Sequence, residues 1–172
     1  PSSYGTDNAC TLHAVAQLGP QARAVVVVAP DTSDAGLQRL HAAGARGVRV
    51  NALRGGTALD CGALDRLAPR LAALGWHLQM HLPADDLPAL EGWLQRLPVP
   101  LVFDHFGRVP QPLPAGHAGL AVLRRLLGGG RAWVKLSAPY LESRDGTGEY
   151  ADVARSRAPW CPLRRSGWCG DR

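Results

Sequence analysis

The chain has 172 residues, 46% of them hydrophobic and 19% charged, which is enough for a domain with a sizeable core. It has no apolar run of the roughly 18 residues a membrane span needs and no charged-then-apolar leader pattern, so a cytoplasmic location is the default reading. The net charge of +5 does not point to nucleic acid: residues 155–172 hold five arginines against one aspartate, leaving the rest nearly neutral and without a basic, aromatic-laced face.

The elements alternate in a regular way. Ala24 to Ala29 reads as a buried strand, and Asp31-Thr32-Ser33-Asp34 offers caps for a helix carrying Leu37, Leu40 and His41. Val48 to Asn51 is the next strand. A helix over Ala63 to Leu74 follows, with Leu64, Leu67, Leu71 and Leu74 on one stripe and Gly75 as its stop. Then come a strand over His77 to Leu82, a helix over Leu87 to Leu97, and a strand over Leu101 to His105. Ala118 to Leu127 is helical, Trp133 to Ser137 is a fifth strand, and Leu141 to Ala154 holds a loop and the start of a further helix. Cys10 and Cys61 lie in no CxxC pair and are expected as buried free thiols.

Strands separated by helices imply an α/β protein with a parallel sheet. The strand spacing suits a partial (β/α)8 TIM barrel, about strands three to seven and incomplete at both ends, because a whole barrel takes on the order of 250 residues. A small doubly wound sheet is the competing architecture. Residues 1–154 form the expected barrel portion. Residues 155–172, without helical or strand period, are expected to be an aberrant, frameshifted or disordered tail.

In such folds the strand ends carry the chemistry. Alternation places Leu101, Phe103 and His105 on one side, His77, Gln79 and His81 on one side, Arg49 with Asn51, and Trp133 and Lys135 with Ser137. If these are the inward sides, Asn51, His81, His105 and Ser137 converge. Arg49 inside a strand suits anion binding, Asp104 would hold a backbone or basic group, and Arg108 could clamp a carboxylate. His81 and His105 on neighbouring strands suit a divalent metal such as zinc or manganese. A metal-free alternative has His105 polarise a carbonyl while the arginines bind substrate carboxylates. His13, His41 and His117 are expected to be non-functional.

Tyr4-Gly5-Thr6-Asp7-Asn8, Gly44-Ala45-Arg46-Gly47-Val48-Arg49-Val50-Asn51, Leu74-Gly75-Trp76-His77, Asp104-His105-Phe106-Gly107-Arg108 and Trp133-Val134-Lys135-Leu136-Ser137 follow one another in a telling order. The series resembles the amidohydrolase-2 family of the amidohydrolase superfamily, most like its 2-pyrone-4,6-dicarboxylate lactonase branch. The resemblance implies a barrel hydrolase that opens lactones or similar carboxylic esters with activated water, without a metal if lactonase-like. It matches Arg49 and Arg108 to substrate-binding arginines, His105 to the strand-end histidine, and Ser3 or Ser2 to a substrate-binding serine. Departures are His81 in place of a tyrosine, Gly55 (with Arg54 adjacent) in place of a second arginine, and Leu141 in place of a third. The family's His-x-His motif and its general-base aspartate are absent. Read in a shifted frame, Arg157 to Gly170 can encode a segment like the family's last helix and strand.

The expected function is therefore a small-molecule hydrolase for a carboxylate-bearing lactone, with no nucleic-acid or membrane partner and little activity in this chain itself. Catalysis would rest on His105. Arg49, Asn51, Arg108, Ser137 and Ser3 would bind substrate, and His81 with His105 would hold any metal. The alternatives are a metal-dependent amide hydrolase or decarboxylase of the same superfamily, and a small anion-binding α/β module.

Overall fold

The computed structural model describes residues 4–52, 59–145, 148–155 and 168–169. Ser2, Ser3, Arg54, Gly55 and most of the tail lie outside the described residues. The helices are α1 (Ala9–Leu18), α2 (Asp34–Ala42), α3 (Cys61–Ala73), α4 (Leu87–Arg96), α5 (Ala118–Gly128) and α6 (Ala151–Arg155). The strands are β1 (Ala24–Val26), β2 (Ala45–Asn51), β3 (His77–His81), β4 (Leu101–Phe103), β5 (Ala132–Lys135) and β6 (Trp168–Cys169). Strand order in the sheet follows chain order, and β1 with β2, β4 with β5, and β5 with β6 pair in parallel. This is the α/β class that the alternating pattern predicts. Among the described residues no helix is long and apolar enough to cross a membrane.

Two units make up the chain. The first holds residues 1–50, 58–79 and 97–100. Here α3 is the best-read element: Asp60 caps it by accepting from the Ala63 amide at 2.8 Å, and Ala63, Leu64, Leu67, Ala68 and Leu71 are buried. Each buried leucine stabilises by roughly 1.5–3 kcal/mol. Gly75 then turns the chain out at φ +67°, a conformation that costs glycine nothing. Trp76 is fully buried and donates its indole N–H to His41 Nδ1 at 2.9 Å, which gives His41 a structural task. Strand β1 stops at Val26, short of the Ala29 limit, because the buried Asn8 side chain takes over its backbone. Asn8 Nδ2 donates to the Val27 carbonyl at 2.8 Å, and Asn8 Oδ1 accepts from the Val27 amide at 3.0 Å. Helix α1 has no buried residue and therefore leaves no apolar stripe to read. Cys10 is exposed and Cys61 half-buried, which corrects the buried-thiol expectation.

The second unit holds residues 51–57, 80–96 and 101–172. Leu120, Val122, Leu123, Leu126 and Leu127 form the buried face of α5. On its outer side Arg125 makes a two-pronged contact with Glu91 of α4, at 2.6 and 2.8 Å, and the pair holds the Glu91 carboxyl below its usual range. The loop before α6 winds around Asp152. Its buried carboxylate accepts from Ser143 Oγ, the Arg144 amide and the Val153 amide, each at 2.8 Å. Burial pushes that carboxyl up, but these donors outweigh it and the group lies below the ordinary aspartate value. Strand β6 pairs Trp168 with Val134 and Cys169 with Lys135, a contact inside the tail that no periodicity announces.

Candidate active site

The second unit carries the cluster, and one turn organises it. After β4 the chain does not continue as strand to His105. His105, Phe106, Gly107 and Arg108 all take left-handed backbone conformations, with φ of 52°, 55°, 65° and 53°. Left-handed residues other than glycine cost about 1–2 kcal/mol each, so packing has to hold the turn. Phe106 is buried, Gly107 lies tight on Leu123 of α5, and the Gly107 amide donates to the Asp104 carbonyl at 2.9 Å.

This turn overturns the alternation argument. Val102 lies in register with Trp133 and Phe103 with Val134. Side chains in register on parallel neighbours share a face, so Phe103 lies with Val134, away from the Trp133–Lys135 side. Asp104 falls on that Lys135 side, and its Oδ1 is 3.6 Å from Lys135 Nζ, the basic partner the sequence leads one to expect. Simple alternation would send His105 to the opposite face. The left-handed turn brings it back, and His105 Nδ1 shares a hydrogen bond with Ser137 Oγ at 3.0 Å. His105 and Ser137 therefore converge, but through the turn and not through strand period.

His81, at the end of β3, stands edge-on to His105 with ring centroids 5.0 Å apart. Arg108 Nη1 donates to His81 Nε2 at 3.1 Å. A guanidinium can only donate, so His81 accepts at Nε2 and carries its proton on Nδ1. On its other edge Arg108 Nε lies against the Glu142 carboxylate in an ion pair. The contact is electrostatic and not a directed hydrogen bond, since the buried Nε–H finds no aligned acceptor. Glu142 carries no signal in the sequence that would single it out; only the structure places it at Arg108. Asn51, half-buried at the end of β2, adjoins Ala52, whose amide donates to the His81 carbonyl at 2.9 Å. Arg49 belongs to the first unit, where it lines a cavity of about 190 Å³ with Asp60, Leu64 and Leu67. Ser3 lies outside the described residues.

Among the described residues, the donors of this cluster do not make up a metal centre. The Nε2 lone pair of His81 is engaged by Arg108, whose positive charge would repel a divalent cation. Among the described residues no group of three or more histidine, cysteine or carboxylate side chains comes together. Cys61 is not an activated nucleophile either: burial raises its thiol pKa, and the Asp65 and Asp60 carboxylates push it further the same way. Of the histidines set aside, His117 caps α5 by accepting from the Leu120 amide at 3.2 Å and meets Asp85 through Nε2 at 3.0 Å.

A parallel α/β fold that brings two histidines, a serine and an arginine together near its strand ends places polar side chains where such folds carry their sites. The amidohydrolase family model matches residues 1–162, and the chain belongs to that family. It is 42% identical over 108 residues to a 2-pyrone-4,6-dicarboxylate hydrolase of Comamonas testosteroni, covering 61% of this chain and 35% of the relative. It is 32% identical to a D-galactarolactone isomerase of Agrobacterium fabrum and 32% to a 4-sulfomuconolactone hydrolase of Hydrogenophaga intermedia, covering 89% of this chain in each case. The chain spans about half the length of these last two, 52% and 51%. An apo structure from Agrobacterium tumefaciens superposes with a TM-score of 0.84 at 28% identity, over 98% of this chain and 61% of the other. The structural neighbours are TIM-barrel amidohydrolases. A zinc-bound amidohydrolase from Burkholderia multivorans, at 21% identity and a TM-score of 0.66, shares the fold.

Proposed function

We propose that this chain is the substrate-polarising part of a lactone-type hydrolase acting on a small carboxylate-bearing lactone. The observation that carries the reading is the His105–Ser137 hydrogen bond beside the His81–Arg108 pair, within a family whose similar members are lactone hydrolases and isomerases. Ser137 fixes the ring orientation of His105, whose other nitrogen polarises the lactone carbonyl as negative charge builds on its oxygen. The remaining N–H groups of Arg108 hold a substrate carboxylate, with Asn51 as a further binding group. Water needs a base, and among the described residues the two carboxylates seen in this cluster are engaged, Asp104 by Lys135 and Glu142 by Arg108. The 172-residue chain is thus expected to bind its ligand and turn it over slowly at best.

The hydrogen bond from Arg108 to His81 supports a metal-free reading in which His105 works as an organic electrophile. Binding tests the reading. D-galactarolactone and 2-pyrone-4,6-dicarboxylate, titrated against the chain by NMR, should perturb the His105 and His81 ring signals. Arg108→Gln and His105→Asn should each weaken binding about tenfold or more, equivalent to one lost charged hydrogen bond. Binding indifferent to both substitutions would sink the assignment, and zinc-dependent binding would favour the metal-using relatives instead.

A further inference from the structure

Glu142 neither polarises nor binds substrate in the reading above, yet Arg108 meets it on one edge. The two are each about one-fifth exposed, at 20% and 19%, so water screens their attraction only weakly. Arg108 thereby has one edge on Glu142 and Nη1 on His81. A carboxylate needs a free guanidinium edge for two-pronged binding, and here it would find at most single N–H groups beside a fixed negative charge. The second cation at this end, Lys135, already faces the buried carboxylate of Asp104 at 3.6 Å. Among the described residues of this cluster, Arg108 and Lys135 are thus each matched by an acid of the chain itself. Leu141, next to Glu142, is 38% exposed and adds no charge.

We propose that Glu142 is a specificity-determining residue that restricts this end of the site to one substrate carboxylate and selects hydroxyl groups beside it. The inference rests on the lactone-binding reading above and narrows its substrate class to hydroxylated monocarboxylates. A hydroxyl donates to the Glu142 carboxylate and accepts from an Arg108 N–H, satisfying both partners without adding charge. A second carboxylate in the same place meets Glu142 as a like charge, and discrimination comes from that repulsion more than from any added attraction.

Two stable probes isolate the effect: 3-hydroxybenzoate and isophthalate share a ring and one carboxylate, and differ only in hydroxyl against carboxylate at the second position. Binding to the 172-residue chain is measured by calorimetry at low salt, for the unaltered chain, Glu142→Gln and Arg108→Gln. The unaltered chain should prefer 3-hydroxybenzoate by about tenfold. Glu142→Gln, which keeps the shape and removes the charge, should strengthen isophthalate by about tenfold and leave 3-hydroxybenzoate within about twofold. Arg108→Gln should weaken both. Equal affinities or an isophthalate preference in the unaltered chain would overturn the proposal without any variant, so misfolding of Glu142→Gln cannot shelter it. If Arg108→Gln weakens both probes but Glu142→Gln leaves their ratio unchanged, the role of Glu142 fails alone. If neither probe binds, the underlying carboxylate site fails and the inference falls with it.

Discussion

Replacing Gly107 with alanine probes the left-handed turn at its tightest point. Two costs add. Gly107 sits at φ +65°, where an L side chain loses about 1–2 kcal/mol, offset by about 0.4–1 kcal/mol from a less flexible unfolded chain. The new Cβ would also overlap Leu123 Cδ1 and lie 3.5 Å from Leu123 Cγ and Cδ2. Opening that overlap to ordinary carbon spacing takes about 1 Å of movement. Leu123 is fully buried in α5, so the movement disturbs a packed face and costs about 1–3 kcal/mol. The net loss is about 2–4 kcal/mol. Gly116 is the control: at φ +69° it carries the same backbone strain, but nothing lies within 4 Å of a Cβ there. Gly116→Ala should therefore cost about 1 kcal/mol or less. Urea unfolding followed by circular dichroism separates the two, since about 3 kcal/mol moves the midpoint by roughly 1.5 M for a typical slope. The reasoning is refuted if Gly107→Ala is no more destabilising than Gly116→Ala.

Gly119→Ala, although it improves intrinsic helix propensity by about 1 kcal/mol, should destabilise on balance, because its Cβ would overlap the Ala84 carbonyl, a backbone group that cannot rotate away; a raised urea midpoint would count against this. Leu123→Ala empties a fully buried site and should cost about 2–5 kcal/mol in the same assay. Asp152 makes the loop before α6 acid-sensitive. Its folded pKa is depressed, so its contribution is present above about pH 4 and is lost as pH falls through the lowered folded value. Protection of the Arg144 amide against hydrogen exchange should drop over that acid range, and Asp152→Asn should abolish the pH dependence; equal protection at acid and neutral pH would contradict it. Ser137→Ala should change the tautomer balance of His105, read from ring nitrogen shifts, with little change in unfolding midpoint, whereas an unchanged balance would show that Ser137 does not orient the ring.

Elements that bury a complete face are legible from the letters alone. Leu64, Leu67 and Leu71 of α3 and the leucines of α5 repeat at helical spacing because one side of each helix is buried. Helix α1 is missed for the converse reason, as none of its residues is buried. Strand β2 begins at Ala45, before the β-branched residues that mark it, because backbone pairing of Ala24 with Ala45 and Val25 with Gly47 needs no side chain. At the candidate site, the residue types and the convergence of His81, His105 and Ser137 were readable, and the turn that achieves it was not. His105, Ser137, His81 and Arg108 are all singled out by chemistry, yet period-two alternation puts His105 on the wrong face. A left-handed turn containing only one glycine leaves no compositional mark, and Glu142 reaches Arg108 through tertiary structure, which spacing does not encode.

The handedness of the His105–Arg108 turn has a bearing on transplantation. An engineer who copied Asp-His-Phe-Gly-Arg onto an ordinary strand-to-helix loop would reproduce the composition but not the reversal that returns the imidazole to the serine. Exchanging enantiomers to relieve the steric cost would redirect the side chains as well, so comfort of the main chain and aim of the histidine are opposed here. A graft of this centre has to carry Leu123 and the packing that buries Phe106 with it, because those surroundings, and not the five-letter motif alone, hold the inverted winding.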